Sequence, residues 1–91
     1  MWKPVRRQAI VSEALPDGSG LLFDAGTATA YPINESAVRI WELCDGAHSV
    51  AAIVDDVESR YAMDRSTVES DALKLLDEFV ERQLLEQPPA E

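Results

Sequence analysis

The sequence predicts an α+β domain, a three-stranded antiparallel sheet followed by three helices. Two observations carry this. The stretch from residue 5 to residue 33 has strand character interrupted twice by turn chemistry, whereas from residue 34 the apolar residues recur at a period of 3.6. A length of 91 residues leaves room for a single core, so strands and helices must share it.

The first strand is expected near residues 6–14, with Ile10 and Val11 at its centre. The run Leu15-Pro16-Asp17-Gly18-Ser19-Gly20 is turn chemistry and separates it from a second strand near 20–25. Ala25-Gly26-Thr27 reads as a tight connection in which Gly26 is free to take positive φ, and the third strand is expected near 28–32. Pro32 has no amide hydrogen to donate, so this third strand belongs at the edge of the sheet.

The helices are expected near 34–44, 49–62 and 65–83. Asn34 is a good N-cap for the first, Ala37, Ile40, Trp41 and Cys44 form its apolar stripe, and Asp45-Gly46 ends it with Gly46 in a left-handed cap. Ser49 caps the second, in which Val50, Ile53, Val54, Val57 and Tyr61 share one face. Ser66-Thr67-Val68-Glu69 reads as a capping box opening the third. Ile40, Trp41, Ile53, Val54 and Val57 should pack against Leu76 and Phe79. Residues 1–86 are expected to form the domain and 87–91 a flexible tail.

The third helix is more apolar than one neighbour requires. Val68, Ala72, Leu73, Leu75, Leu76, Phe79, Val80 and Leu84 spread over an arc of roughly 180°, beyond the stripe of somewhat more than 100° that a surface helix buries. Either this helix packs against both the other helices and the sheet, or part of it lines an open groove beside the edge strand.

Composition excludes several functions. Eight Lys and Arg stand against 17 Asp and Glu, a formal net charge of −9, and Lys3, Arg6 and Arg7 fall within the first ten residues, so the body is more acidic still. Such a surface repels a phosphate backbone, which argues against nucleic-acid binding. The three cations beside Trp2 are read as a frayed arm. Cys44 and His48 are the single cysteine and histidine, leaving no disulfide within the chain and no Cys/His zinc site. Cys44 lies on an apolar stripe and is read as core, with His48 in a loop beyond a helix break, so no nucleophile–base pair is expected. Asp55, Asp56 and Glu58 read as a solvated helix face, and Gly18 and Gly20 precede a strand where a phosphate loop would precede a helix. No apolar run reaches the roughly 18 residues of a membrane span. The expectation is a cytoplasmic protein, monomer or weak dimer, with no membrane or nucleic-acid partner, no catalytic residue, no cofactor and no metal.

The block Ile33-Asn34-Glu35-Ser36-Ala37 and Ile40-Trp41-Glu42-Leu43-Cys44-Asp45-Gly46, followed by Val50, Ile53-Val54, Tyr61, Asp71-Ala72 and Leu84-Leu85, resembles the PqqD-like family over roughly residues 5–86. Two departures stand out: Gln83 occupies a position where the family often has Gly, and Pro32 one that is more usually apolar. The resemblance implies a RiPP recognition element with a winged helix-turn-helix-like fold. Such a domain is a non-catalytic peptide-binding chaperone for the leader segment of a ribosomally made precursor peptide. It presents that leader to a modifying enzyme such as a radical-SAM enzyme, in PQQ-type or related RiPP biosynthesis.

In the family the leader adds as a strand to the third strand and lies against the third helix. Here that places peptide binding on Ala28, Thr29, Ala30 and Tyr31 and on Val68, Asp71, Ala72, Leu75, Leu76 and Phe79. Asp71, Glu78 and Arg82 would form an acidic rim favouring a basic leader. Ala72 is expected at the groove wall and Ala28 as a strand donor. Three rivals remain: a lasso-peptide B1-type partner of a leader peptidase, a winged-helix DNA-binding protein, and an acyl-carrier-like protein, for which Ser36 and Ser66 lack the Asp-Ser-Leu context.

Overall fold

The computed structural model describes residues 2–61 and 64–86. The elements run β1 (Ile10–Ala14), β2 (Gly20–Asp24), β3 (Thr29–Ile33), α1 (Glu35–Glu42), α2 (Val50–Tyr61) and α3 (Arg65–Glu81). The expected tail at 87–91 and Ala62, the last expected residue of the second helix, lie outside the described residues. The sheet is antiparallel in the order β1-β2-β3, so β3 is an edge as Pro32 requires. Ile10 and Leu22 face inward and are buried, whereas Val11 and Phe23, opposite one another in the register, lie exposed on the outer face.

The helices cover the inner face. Ile40, Trp41, Ile53, Val54, Val57, Leu76 and Phe79 are all buried in one cluster, as their spacing predicts. Trp41 meets Phe79 edge to face, ring centroids 5.5 Å apart and planes at 85°, the geometry aromatic quadrupoles favour. Asn34 caps α1, its Oδ1 accepting the Ala37 N–H at 2.9 Å. Ser49 Oγ does the same for Ala52 at 3.2 Å, and Gly46 takes φ +80 where the chain turns between α1 and α2.

Four local expectations are corrected. β1 starts at Ile10 because residues 5–7 pair elsewhere: Val5 bridges Asp45, Arg6 bridges Leu85, and a turn at Gln8 and Ala9 intervenes. Arg6 and Arg7 are therefore no frayed arm. The Arg6 guanidinium donates to the Trp41 and Glu42 carbonyls at the end of α1, and Arg7 to the Gln83 carbonyl, placing cations where orphan helix carbonyls concentrate negative charge. The cap of α3 is Asp64, two residues before Ser66; its carboxylate accepts the Ser66 hydroxyl and the Thr67 N–H, which hold that carboxyl below its ordinary range. A full negative charge at the helix start outcompetes a neutral hydroxyl. Finally, the positive φ of the β2–β3 turn falls on Ala28 (φ 55) and not on Gly26, whose N–H is instead taken by Asp24 Oδ1 at 2.9 Å.

Candidate peptide groove

β3 leads into α1 through the single residue Asn34, so α1 must start beside the sheet edge, and α3 packs alongside it. Between them lies an open groove of about 330 Å³. Pro32, Ile33, Asn34, Ser36, Ala37 and Ile40 form one wall, and Asp71, Lys74, Leu75, Glu78, Phe79 and Arg82 of α3 form the other. Leu75 is half-buried there, the surplus apolar surface that the wide arc of α3 predicts; Leu73, on the far side of the helix, is 45% exposed and takes no part. At one end the Arg82 guanidinium lies over the Tyr31 ring, 5.2 Å from its centroid, joining α3 to β3 by a cation–π contact.

The structure divides the expected site residues into three groups. Thr29, Ala30 and Tyr31 lie on β3, with Ala30 exposed, and Asp71, Leu75 and Phe79 line the groove. Val68, Ala72 and Leu76 belong to the core, Ala72 at 0% exposure, so the expectation that Ala72 stands at the groove wall is corrected: it faces α1 and α2, beneath the rim. Ala28, expected as a strand donor, lies in the turn before β3 with its backbone left-handed, outside the ladder. The α1 wall was not foreseen, although one capping residue between β3 and α1 leaves that helix no other place.

The rim is also not acidic. Along α3 it runs Asp71, Lys74, Glu78, Arg82, alternating in sign. The ion pairs that α3 makes among the described residues lie elsewhere, Arg65 with Asp55 and Glu58. Among the described residues Asp71, Lys74 and Glu78 make no ion pair, and Arg82 is held over Tyr31, so the rim presents charges of both signs to a ligand.

Cys44 and His48 bond to different partners. Cys44 is buried, its Sγ donates to the Ile40 carbonyl at 3.2 Å, and burial pushes the thiol up to about 12, while His48 Nδ1 lies 2.9 Å from Asp45 Oδ1. Among the described residues no group of three or more His, Cys, Asp or Glu could hold a metal, and no helix is long and apolar enough to cross a membrane.

Open strand edge and apolar groove, side by side on one small α+β domain, define a scaffold able to take up an extended peptide. The family profile described as coenzyme PQQ synthesis protein D (PqqD) matches residues 20–85, and the chain belongs to that family. A PqqA binding protein of Rhodopseudomonas palustris (strain BisB5) is 36% identical over 52 residues, 57% of this chain and 51% of that protein; the chain thus spans about half the length of the curated relatives it matches. Among solved structures, TbiB1 in complex with the TbiA(beta) leader peptide has a TM-score of 0.80 at 30% identity, covering 96% of this chain and 99% of that one. A lasso peptide synthetase B1 complexed with its leader peptide (TM-score 0.80, 21% identity, 93% and 99% covered) shares the fold. So does the PqqD truncation of Methylobacterium extorquens PqqCD, a RiPP recognition element (TM-score 0.76, 20% identity, 92% and 88% covered).

Proposed function

We propose that this chain is a leader-peptide-binding chaperone, taking the leader segment of a ribosomally made precursor peptide as an added strand on β3 and delivering it to a modifying enzyme, a radical-SAM enzyme in PQQ-type biosynthesis. The observation that carries this is the adjacency of an unpaired strand edge and an open groove with an apolar floor: the edge supplies main-chain hydrogen bonds and the groove supplies side-chain selection. The naming of relatives as PqqA binding proteins supports it. The likeness to TbiB1, seen with the TbiA(beta) leader peptide in place, and the fold shared with a lasso peptide synthetase B1 support as a second reading the lasso-peptide B1-type alternative that the sequence resemblance also allows. Both readings use the same groove.

A peptide antiparallel to β3 would send alternate side chains inward, onto Ile33, Leu75 and Phe79. Ordering a flexible leader costs about 2–5 kcal/mol, so two or three such anchors must be buried to hold it. Titration of labelled chain with a PqqA peptide, the TbiA(beta) leader and peptides from neighbouring short reading frames should move the amides of Ala30, Tyr31 and Ile33 and of Leu75–Phe79. Shifts confined to α2 would place the site on the wrong face.

Leu75→Asp should weaken binding about tenfold or more with the fold intact. Ala72→Asp acts differently: a charge without a partner in the core costs about 3–5 kcal/mol and unfolds the chain. Unchanged peptide affinity in a folded Leu75→Asp variant would overturn the groove assignment.

A further inference from the structure

We propose that Pro32 tunes the β3 edge so that it pairs with a foreign extended peptide in preference to a second copy of this chain; the inference rests on the strand-addition reading above. Antiparallel partners alternate between pairs that exchange two hydrogen bonds and pairs that exchange none. Pro32 lies opposite Leu21 and has no N–H, so that pair belongs to the second kind. The alternation then turns the Tyr31 and Ile33 backbone toward β2 and the Ala30 and Pro32 backbone outward.

Within β3 the open edge therefore offers one donor, the Ala30 N–H, and two acceptors, the Ala30 and Pro32 carbonyls. The turn at Ala28 closes this edge at one end. At the other end the Asn34 carbonyl is already taken by the Val38 N–H at 2.9 Å.

A peptide with a full complement of amides can make three bonds with this edge. Two copies cannot. Paired with Ala30 opposite Pro32, each Ala30 N–H finds the other copy's Pro32 carbonyl and both reciprocal bonds are missing, leaving two. Paired with Ala30 opposite Ala30, two bonds form and each Pro32 falls opposite a turn.

The discrimination matters because the outer sheet face exposes Val11 (59%) and Phe23 (42%) side by side. An open edge on a sheet whose outer face already carries exposed apolar side chains is the geometry that invites growth from copy to copy. A proline whose missing amide faces outward suppresses it while leaving the carbonyls for a ligand.

Pro32→Val returns the donor at an exposed position. The variant should bind a PqqA peptide or the TbiA(beta) leader about two- to tenfold more tightly, the value of one hydrogen bond. It should also self-associate in sedimentation at concentrations where the parent chain is monomeric, and saturating peptide should reverse the association. Ala30→Pro removes the one remaining donor and should lower peptide affinity by a similar factor, circular dichroism confirming its fold. A Pro32→Val chain that stays monomeric, or that binds peptide no more tightly, overturns the proposal. Full affinity in Ala30→Pro overturns the pairing on β3 and this inference with it.

Discussion

Gln83 shows most directly how a single residue is held against its own preference. Arg82 ends α3, and Gln83 follows at φ 60, in the left-handed region. The Leu84 N–H reaches back to the Phe79 carbonyl at 2.8 Å and the Gln83 N–H to that of Val80 at 3.0 Å, the paired bonds of a Schellman motif, with buried Leu84 and Phe79 supplying its apolar contact. Glycine suits this position because a Cβ crowds the following carbonyl. Gln83→Gly should accordingly raise unfolding free energy by about 1 kcal/mol, less whatever the freer unfolded chain takes back. Denaturant titration checks it; a loss of stability would mean that the glutamine side chain contributes more than the strained backbone costs.

Between elements, a contact that responds to pH joins α1 to α2. Arg39 donates from Nε and Nη2 to the two Asp56 oxygens at 2.9 and 3.0 Å, and this guanidinium holds the Asp56 carboxyl below its ordinary range. A carboxyl whose folded pKa is depressed stabilises the fold fully above the unfolded value, near pH 4, and the contribution fades as pH falls through the folded value. Asp45 is depressed likewise, first by His48, and Asp64 first by Ser66. The melting temperature should thus be level near neutrality and decline below about pH 4. Asp56→Asn should lose at most about 1 kcal/mol at pH 7, the pair being partly solvated, and should show a shallower acid decline. Equal declines in the two proteins would remove the pair from the account.

Elements are also the scale at which the sequence was most readable. Asn34, Ser49 and Gly46 act through hydrogen bonds and backbone freedom within a few residues, so their roles follow from local pattern. The edge position of β3 followed from the chemistry of Pro32 alone. Ala72 and Leu75 were harder to separate: both lie on the apolar arc of α3, and only the placement of α1 and α2 decides that one is core and the other groove. Arg6 and Arg7 were misread for the same reason, because the carbonyls they serve are 35 to 76 residues away.

At the scale of the whole molecule those residues form a seam. The Arg6 N–H bonds the Cys44 carbonyl at 2.9 Å, the Arg7 N–H the Leu84 carbonyl at 3.1 Å, and the Glu86 N–H the Val5 carbonyl at 2.8 Å, so residues 5–7 lie between the turn after α1 and the segment after α3. Leu84 and Leu85 are fully buried beside it. Replacing a buried leucine with alanine costs about 2–5 kcal/mol, so removing both together with their pairing exceeds what a domain of this size can spare. A chain ending at Gln83 should show no cooperative thermal transition; a sharp transition near the parent's would show the seam to be dispensable.

The seam also orders events during synthesis. Two of its bonds, from the Arg7 N–H to Leu84 and from the Glu86 N–H to Val5, join residues separated by nearly the full described length, so they are the last a growing chain can make, and closing so large a loop is slow compared with winding a helix or turning a hairpin. Until residue 86 has cleared the ribosome, the strands and helices can form but the end of α3 has no anchor. Phe79, on the groove floor, is the residue whose carbonyl receives the Leu84 N–H. On the proposed function, the groove floor at Phe79 should therefore reach its final form, and take up a peptide, only once this segment has been translated.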